Sequence, residues 1–356
     1  MRPRVCHPRW QVNWLAMALL VICCAAAPVD HHNLLQFIDA QGNLQPVRTA
    51  ADWQQRRAQI LAGMQQAMGK LPDRTHLPPL DVKVLATETS ENFTRQRISF
   101  VASGTERIPA YLFLPKSSDH IKGRPAILAL HPTSPLGKGE IVGQGKQDRA
   151  YGLELAERGY VVLCPDYPSF GDYPCDFTDR HFASGSIKGI FNHMRCVDLL
   201  QSLVLVDPKR IGVIGHSLGG HNALFVAAFD TRIKAVVCSC GFTRFADYYG
   251  GKIAGWTSPR YMPRLRDVYH LDPAQVPFDF DEVLAAIAPR SLFCNAPLHD
   301  DNFAIVGVKP AMAEARKVYE LLGAPNALTT VHPDCAHDFP PEIRKQAYEF
   351  LDAALR

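Results

Sequence analysis

Apolar positions change their rhythm along the chain. From Asp52 to Met68, "DWQQRRAQILAGMQQAM" sets Trp53, Ile60, Leu61, Met64 and Met68 at helical spacing, with Gly69 and Pro72 as stop signals, which predicts an amphipathic helix. "VKVLATETS", "TRQRISFVAS" and "IPAYLFLPK" then alternate or cluster β-formers between turn residues, the mark of a strand meander; helix and meander together occupy about residues 50–115. After Arg124 the runs "PAILALHP", "YVVLCPDYP", "RIGVIGHS", "IKAVVCSCGF" and "SLFCNAP" are apolar without interruption, as parallel strands buried on both faces require. Between them lie the helical segments "DRAYGLELAERGY", "FNHMRCVDLLQSLVL", "GGHNALFVAAFD" and "MAEARKVYELLG". Strand and helix alternate, so the expected fold is α/β, a mostly parallel central sheet with helices on both faces.

One stretch keeps neither period. Residues 242–288 are rich in aromatics, Arg and Pro, and read as an excursion over the face of the sheet that would carry a site; loops of that length inside compact domains are often functional. No repeat, low-complexity tract or linker follows the N-terminus, so residues 28–356 are expected to form one domain.

The N-terminus has a different character. "MRPRVCHPRW" carries Arg2, Arg4, Arg9 and the terminal amine, and "WLAMALLVICCAAA" follows as an uncharged apolar run ending in small residues, the layout of a signal peptide over residues 1–27. The run is shorter than the roughly 20 residues a membrane span needs. The mature chain is therefore expected to be secreted or periplasmic, with no membrane partner after cleavage, an uncleaved anchor being the alternative. Ten cysteines, less Cys6, Cys23 and Cys24 of that leader, leave seven, an odd number that allows a disulfide but keeps at least one thiol unpaired. Cys164, Cys238 and Cys294 sit in apolar runs where cysteine acts as a small hydrophobe. No CxxC pair or close His/Cys spacing points to a metal, and His31 and His32 beside the cleavage region are expected to stand in solvent. A formal net charge of +3 on 356 residues, with the basic residues scattered, excludes a nucleic-acid partner.

Chemistry concentrates where an apolar run meets a helix. Gly215-His216-Ser217-Leu218-Gly219 fits G-x-S-x-G between a strand and a helix, the setting of a nucleophile elbow, although a serine there could also serve as an N-cap. A serine hydroxyl needs an imidazole to take its proton and a carboxylate to orient that imidazole, in chain order Ser, acid, His. "SLFCNAPLHDDNF" ends a strand in Asp300 and Asp301. Neighbours on an extended segment point to opposite sides, so one of the two can aim at the histidine. "TTVHPDCAHDFPPEIRKQAYEFL" offers His332 and His337; His337, where a loop meets the last helix, suits the role of base, and His332 that of a strand end. An oxyanion hole would take the backbone N–H of Leu218 and a second from the loop after "PAILALHP", where Thr133 stands beyond His131 and Pro132; Thr133 could equally be an ordinary turn residue. Trp256, Arg260 and Tyr261 in "GWTSPRYMP" follow the strand after the elbow, at the sheet edge where ligands bind, and could contact substrate or pin the excursion to the core.

From about residue 50 to 356 the chain resembles an α/β-hydrolase of the dienelactone-hydrolase and prolyl-oligopeptidase-like group, which includes secreted carbohydrate and acetyl esterases. The resemblance is carried by "LALHPTSPLGKGE", "RGYVVLCPDYPSFGD", "GVIGHSLGGHNALF", "GWTSPRYMP", "PLHDDNF" and "AHDFP". It implies a Ser217, Asp300, His337 triad with Leu218 and Thr133 as the oxyanion hole, and favours Asp300 over Asp301 because "HDDNF" then matches the group's D-x-x-apolar pattern. No region before the hydrolase segment could hold a seven-bladed propeller, and the G-x-S-R-x-G-K elbow of glucuronoyl esterases is missing. The expected activity is cleavage of carboxylic esters, including acetyl or hydroxycinnamoyl esters of carbohydrates, without metal or organic cofactor. A serine peptidase or aminopeptidase of the same group is the alternative enzyme, and an inactive binding protein on a hydrolase scaffold the alternative of another class.

Overall fold

The computed structural model describes residues 30–116, 123–178 and 181–356, and the expected leader, residues 1–27, lies outside them. A short hairpin, β1 (Gln36–Ile38) and β2 (Leu44–Pro46), leads into helix α1 (Ala50–Met68). The Thr49 side chain accepts from the N–H of Asp52 while the Asp52 carboxylate accepts from that of Thr49, a capping box that fixes where α1 begins. The meander follows as β3 (Lys83–Thr89), β4 (Phe93–Val101) and β5 (Arg107–Pro115), each antiparallel to the next.

The alternating part then runs β6 (Arg124–Leu130), α2 (Tyr151–Glu157), β7 (Val161–Pro165), α3 (Gly185–Ser202), β8 (Val206–His216), α4 (Leu218–Phe229) and β9 (Ile233–Ser239). Two short helices of the excursion, α5 (Arg264–Asp267) and α6 (Phe280–Ala285), precede β10 (Ser291–Asn295), α7 (Ile305–Leu321), β11 (Leu328–Val331) and α8 (Pro341–Leu355). The large sheet has the order β11-β10-β9-β8-β6-β7-β5-β4-β3, parallel from β11 to β7 and antiparallel beyond.

Successive strand residues feed opposite faces. Leu128, Val213 and Val236 join the larger core beneath α3 and α4, while Ile127, Ile214 and Val237 join the second core beneath α2 and α8. Both faces of the central strands are dry, which is why their sequences show no polar alternation. The excursion is docked on the larger core: the carbonyls of Pro259 and Tyr261 accept from the N–H groups of Gly185 and Ser186 at 2.9 and 3.1 Å, and Phe245, Phe278 and Phe280 are fully buried. His31 departs from the expectation of solvation, and His32, though its side chain is still exposed, lies against a carboxylate. His31 Nδ1 lies 2.9 Å from Glu282 Oε2 and His32 Nδ1 3.4 Å from Asp281 Oδ1, because α6 presents buried carboxylates that also pair with Arg56 and Arg244.

Candidate active site

β8 and α4 are joined by one residue. Ser217 there has φ 57° and ψ −117°, a left-handed conformation that a residue with a Cβ adopts only when its surroundings impose it. Close packing imposes it. A Cβ on Gly215 would stand 2.1 Å from the carbonyl oxygen of Gly219, and one on Gly219 would stand 2.0 Å from that of Leu130, so both glycines of the pentapeptide are sterically required. The Ser217 side chain makes no capping bond to α4. Its hydroxyl donates instead to His337 Nε2 at 2.9 Å.

His337 Nδ1–H donates to Asp300 Oδ2 at 2.9 Å, and the other carboxylate oxygen accepts from the N–H groups of Asn302 and Phe303 at 2.8 and 2.9 Å. Asp300 is buried and Asp301 exposed, as the alternation of an extended segment requires. His332 Nδ1–H is engaged by the carbonyl of Ala296 at 2.8 Å, at the end of β11. Beneath the loop of His337, the amide of Asn295 donates to the Asp338 carbonyl and to Ser239 Oγ, both at 2.9 Å, and the Cys240 thiol donates to the same carbonyl at 3.2 Å. No sequence signal singles out Asn295, since it reads as the last residue of an apolar strand.

The N–H of Leu218 opens α4 and has no acceptor within the helix. Across from it, the loop after β6 is held by a buried ion pair. Lys138 Nζ lies 2.6 Å from Asp166 Oδ2, and the backbone N–H of Lys138 donates to the same carboxylate at 2.8 Å. His131 fixes the turn: its Nδ1–H donates to the Pro132 carbonyl at 2.7 Å and its Nε2 accepts from Tyr167 N–H at 2.9 Å. Burial lowers its pKa, in keeping with a neutral ring.

Thr133, Ser217, Leu218, His221, Tyr248, Trp256, Tyr261, Asn302 and Phe303 surround a cavity of about 90 Å³ that opens on the serine. Trp256 is both a wall of this cavity and a core residue, its ring within 6.0 Å of those of Phe245, Tyr248 and Phe280. Arg260 is not part of the wall. Its guanidinium lies over the Phe170 ring, 4.7 Å from the centroid, and its Nε–H donates to Ser169 Oγ at 2.6 Å, because the bend that aims Tyr261 inward turns Arg260 outward. His221, one helical turn after Ser217, was hidden from sequence reasoning by its place inside an apolar helix.

Two groups of side chains among the described residues bring three metal-ligating atoms within 4.8 Å of one another: Cys240, Asp300 and His337, and His32, Asp279 and Asp281. In the first, His337 and Asp300 are bonded to each other and to Ser217. In the second, Arg244 pairs with Asp281, and burial followed by the charge of Asp281 raises Asp279 to about 7.

The alpha/beta hydrolase family model matches residues 147–350, which include Ser217, Asp300 and His337. The chain belongs to this family. This alpha/beta hydrolase is 28% identical over 313 residues to the Bacillus subtilis protein YtaP, with 85% of the chain and 99% of that protein covered. It is 25% identical over 338 residues to 4-O-methyl-glucuronoyl methylesterase 1 of Wolfiporia cocos, covering 87% of the chain and 78% of the relative. In fold it is similar to the glucuronoyl esterase from Solibacter usitatus, with a TM-score of 0.70 at 20% identity over 93% of this chain and all of that one. None of the described helices is long and apolar enough to cross a membrane.

Proposed function

We propose that this hydrolase cleaves carboxylic esters, with esters of carbohydrates as its substrates, through an acyl-enzyme on Ser217. The observation that carries the reading is the unbroken hydrogen-bond chain from Ser217 through His337 to an Asp300 carboxylate whose second oxygen is tied to backbone N–H groups. In the proposed reaction Ser217 Oγ attacks the carbonyl carbon as His337 Nε2 takes its proton, and the oxyanion is received by the N–H groups of Leu218 and Thr133. Collapse breaks the bond to the alcohol oxygen, which leaves with the proton from His337. Water then attacks the acyl carbon, His337 again taking the proton, and its return to Ser217 frees the carboxylic acid. Asp300 holds the tautomer and offsets the imidazolium charge.

Among the described residues none of the side chains lining the cavity is charged, which favours ester over aminopeptidase substrates. The relatives named for glucuronoyl ester cleavage support the carbohydrate class. The leader layout supports export. Fluorophosphonate labelling of the wild type but not of Ser217→Ala is the expected result, and absence of labelling in both refutes the esterase reading. A panel of p-nitrophenyl acyl esters, acetylated sugars and hydroxycinnamate esters then ranks substrates. N-terminal sequencing of exported protein is expected to begin near Pro28, and a start at Met1 refutes export by a cleaved leader.

A further inference from the structure

We infer that the cavity beside Ser217 recognises a hydroxyl group of the substrate close to the scissile ester, through the ring nitrogens of His221 and Trp256. The inference rests on the esterase reading above and adds which part of the substrate is read. His221 Nδ1 and Trp256 Nε1 are buried polar atoms without a hydrogen-bond partner in the protein. Their side chains are 5% and 4% exposed, their ring centroids lie 4.9 Å apart, and both line the cavity. Buried polar atoms in folded proteins are otherwise paired, so two unpaired neighbours in the wall of one cavity mark places that a ligand or water can complete.

The chemistry of the two atoms narrows the ligand. Trp256 Nε1–H can only donate. His221 is neutral, burial lowering its pKa to about 3, so its ring offers one donor and one acceptor. A hydroxyl, which both accepts and donates, satisfies the pair, whereas an alkyl group strands it. A cavity of about 90 Å³ is large enough to hold water, which a substrate displaces on entry. Displacement loses nothing only where the substrate restores the hydrogen bonds. The remaining wall combines the rings of Tyr248, Tyr261 and Phe303, which suit the C–H face of a polyol ring, with the polar side chains of Thr133 and Asn302. The uncharged lining selects a neutral polyol over a free acid or an amine.

Such a hydroxyl can belong to the alcohol, as in an acetylated sugar, or to the acyl group, as in the ester of a sugar acid. Matched pairs separate the sources: a mono-O-acetyl methyl xyloside against cyclohexyl acetate, and the methyl ester of a methyl glucuronoside against methyl cyclohexanecarboxylate. In at least one pair the hydroxylated member is expected to have kcat/KM higher by about tenfold or more, and His221→Phe or Trp256→Phe to reduce that ratio by about tenfold, the size of a stranded buried hydrogen bond. His221→Gln, which keeps a donor and an acceptor, is expected to retain most of the preference. Melting temperature and fluorophosphonate labelling of Ser217 show that each variant is folded and its nucleophile accessible. Wild-type ratios near unity in both pairs, or variants that lower both members of a pair equally, overturn the inference while labelling leaves the esterase reading standing. Loss of labelling in the wild type overturns the reading itself.

Discussion

The two sides of Ser217 are built on opposite rules. On one side, Ser217 Oγ, both nitrogens of His337 and both carboxylate oxygens of Asp300 have partners inside the protein. On the other, in the wall of the cavity that Ser217 also lines, His221 Nδ1 and Trp256 Nε1 have none. Saturated bonds fix geometry before substrate arrives, so the proposed catalytic groups need no reorganisation during the reaction. Open bonds in the cavity wall do the reverse: they leave free energy to be gained when the right molecule arrives.

The sharpest way to break the comparison is to cut the saturated side. Asp300→Asn keeps the shape but cannot hold the same tautomer, and turnover is expected to fall about 10⁴-fold, as in triads where the orienting carboxylate is lost. Asp301→Asn, on the exposed neighbour, is expected to leave turnover within about threefold, as for surface substitutions away from a site. Rates measured on variants whose melting temperatures match the wild type decide it. The reverse ranking would transfer the role to Asp301 and unmake the closed chain described here.

The saturated side was largely legible in the sequence, and the open side was not. Ser217, Asp300 and His337 stand in the connections between strands and helices, where the pattern changes period, and the order of residue types is itself a signal. Trp256 and Tyr261 were visible as aromatics at the sheet edge, but nothing local separates a stacking role from an anchoring one, and Trp256 serves the core whatever it binds. His221 lies in "GGHNALFVAA", where every residue is buried and a histidine reads as filler. The first turns of α3 were missed for a related reason. Gly185 to Lys188 have weak helical pattern, and the Ser184 cap and the backbone bonds from the excursion hold them. The first turns of α7 were missed because Pro310 interrupts the pattern while the helix runs through it. Contacts distant in sequence decided each of these cases.

Neutral buried histidines on both sides predict acid lability. Burial lowers His193 and His221 to about 3 and also lowers His131 and His216. Below the ordinary value of 6.5 the unfolded chain binds protons that the folded chain refuses, so the stability present above 6.5 is lost as pH falls towards the folded values. For His193 and His221 the loss is about 2 kcal/mol each between pH 6.5 and 5. His31 and His32 are raised, and their contribution, complete below 6.5, declines only at higher pH. Calorimetry is expected to show the melting temperature falling steeply from pH 6.5 to 5, and a flat profile would mean that these rings are hydrated or protonated in the fold.

Asn295 tests whether saturation beneath the triad matters to rate. Asn295→Ala removes the donor to the Asp338 carbonyl, next to His337 in the chain. Turnover is expected to fall about tenfold, one neutral hydrogen bond's worth, with KM little changed because Asn295 does not line the cavity. A rise in KM at constant turnover would place Asn295 on the recognition side instead.

The smallest effect is expected at Arg260, and it marks the outer limit of recognition. Its side chain is exposed, and its contacts with the Phe170 ring and Ser169 Oγ contribute no more than about 1 kcal/mol. The excursion is held in place by backbone carbonyls that any residue supplies: Arg260 O accepts from the Tyr167 hydroxyl at 2.6 Å, and Pro259 O and Tyr261 O accept from the first turn of α3. Arg260→Ala therefore keeps Trp256 and Tyr261 where they are, and kcat/KM on a sugar ester is expected to stay within about threefold of wild type, as for substitutions away from a site. A tenfold or greater loss at unchanged melting temperature would mean that substrate reaches past the cavity and onto the guanidinium. Recognition would then be divided between two buried ring nitrogens and a surface cation, and the open side would no longer be defined by unpaired atoms alone.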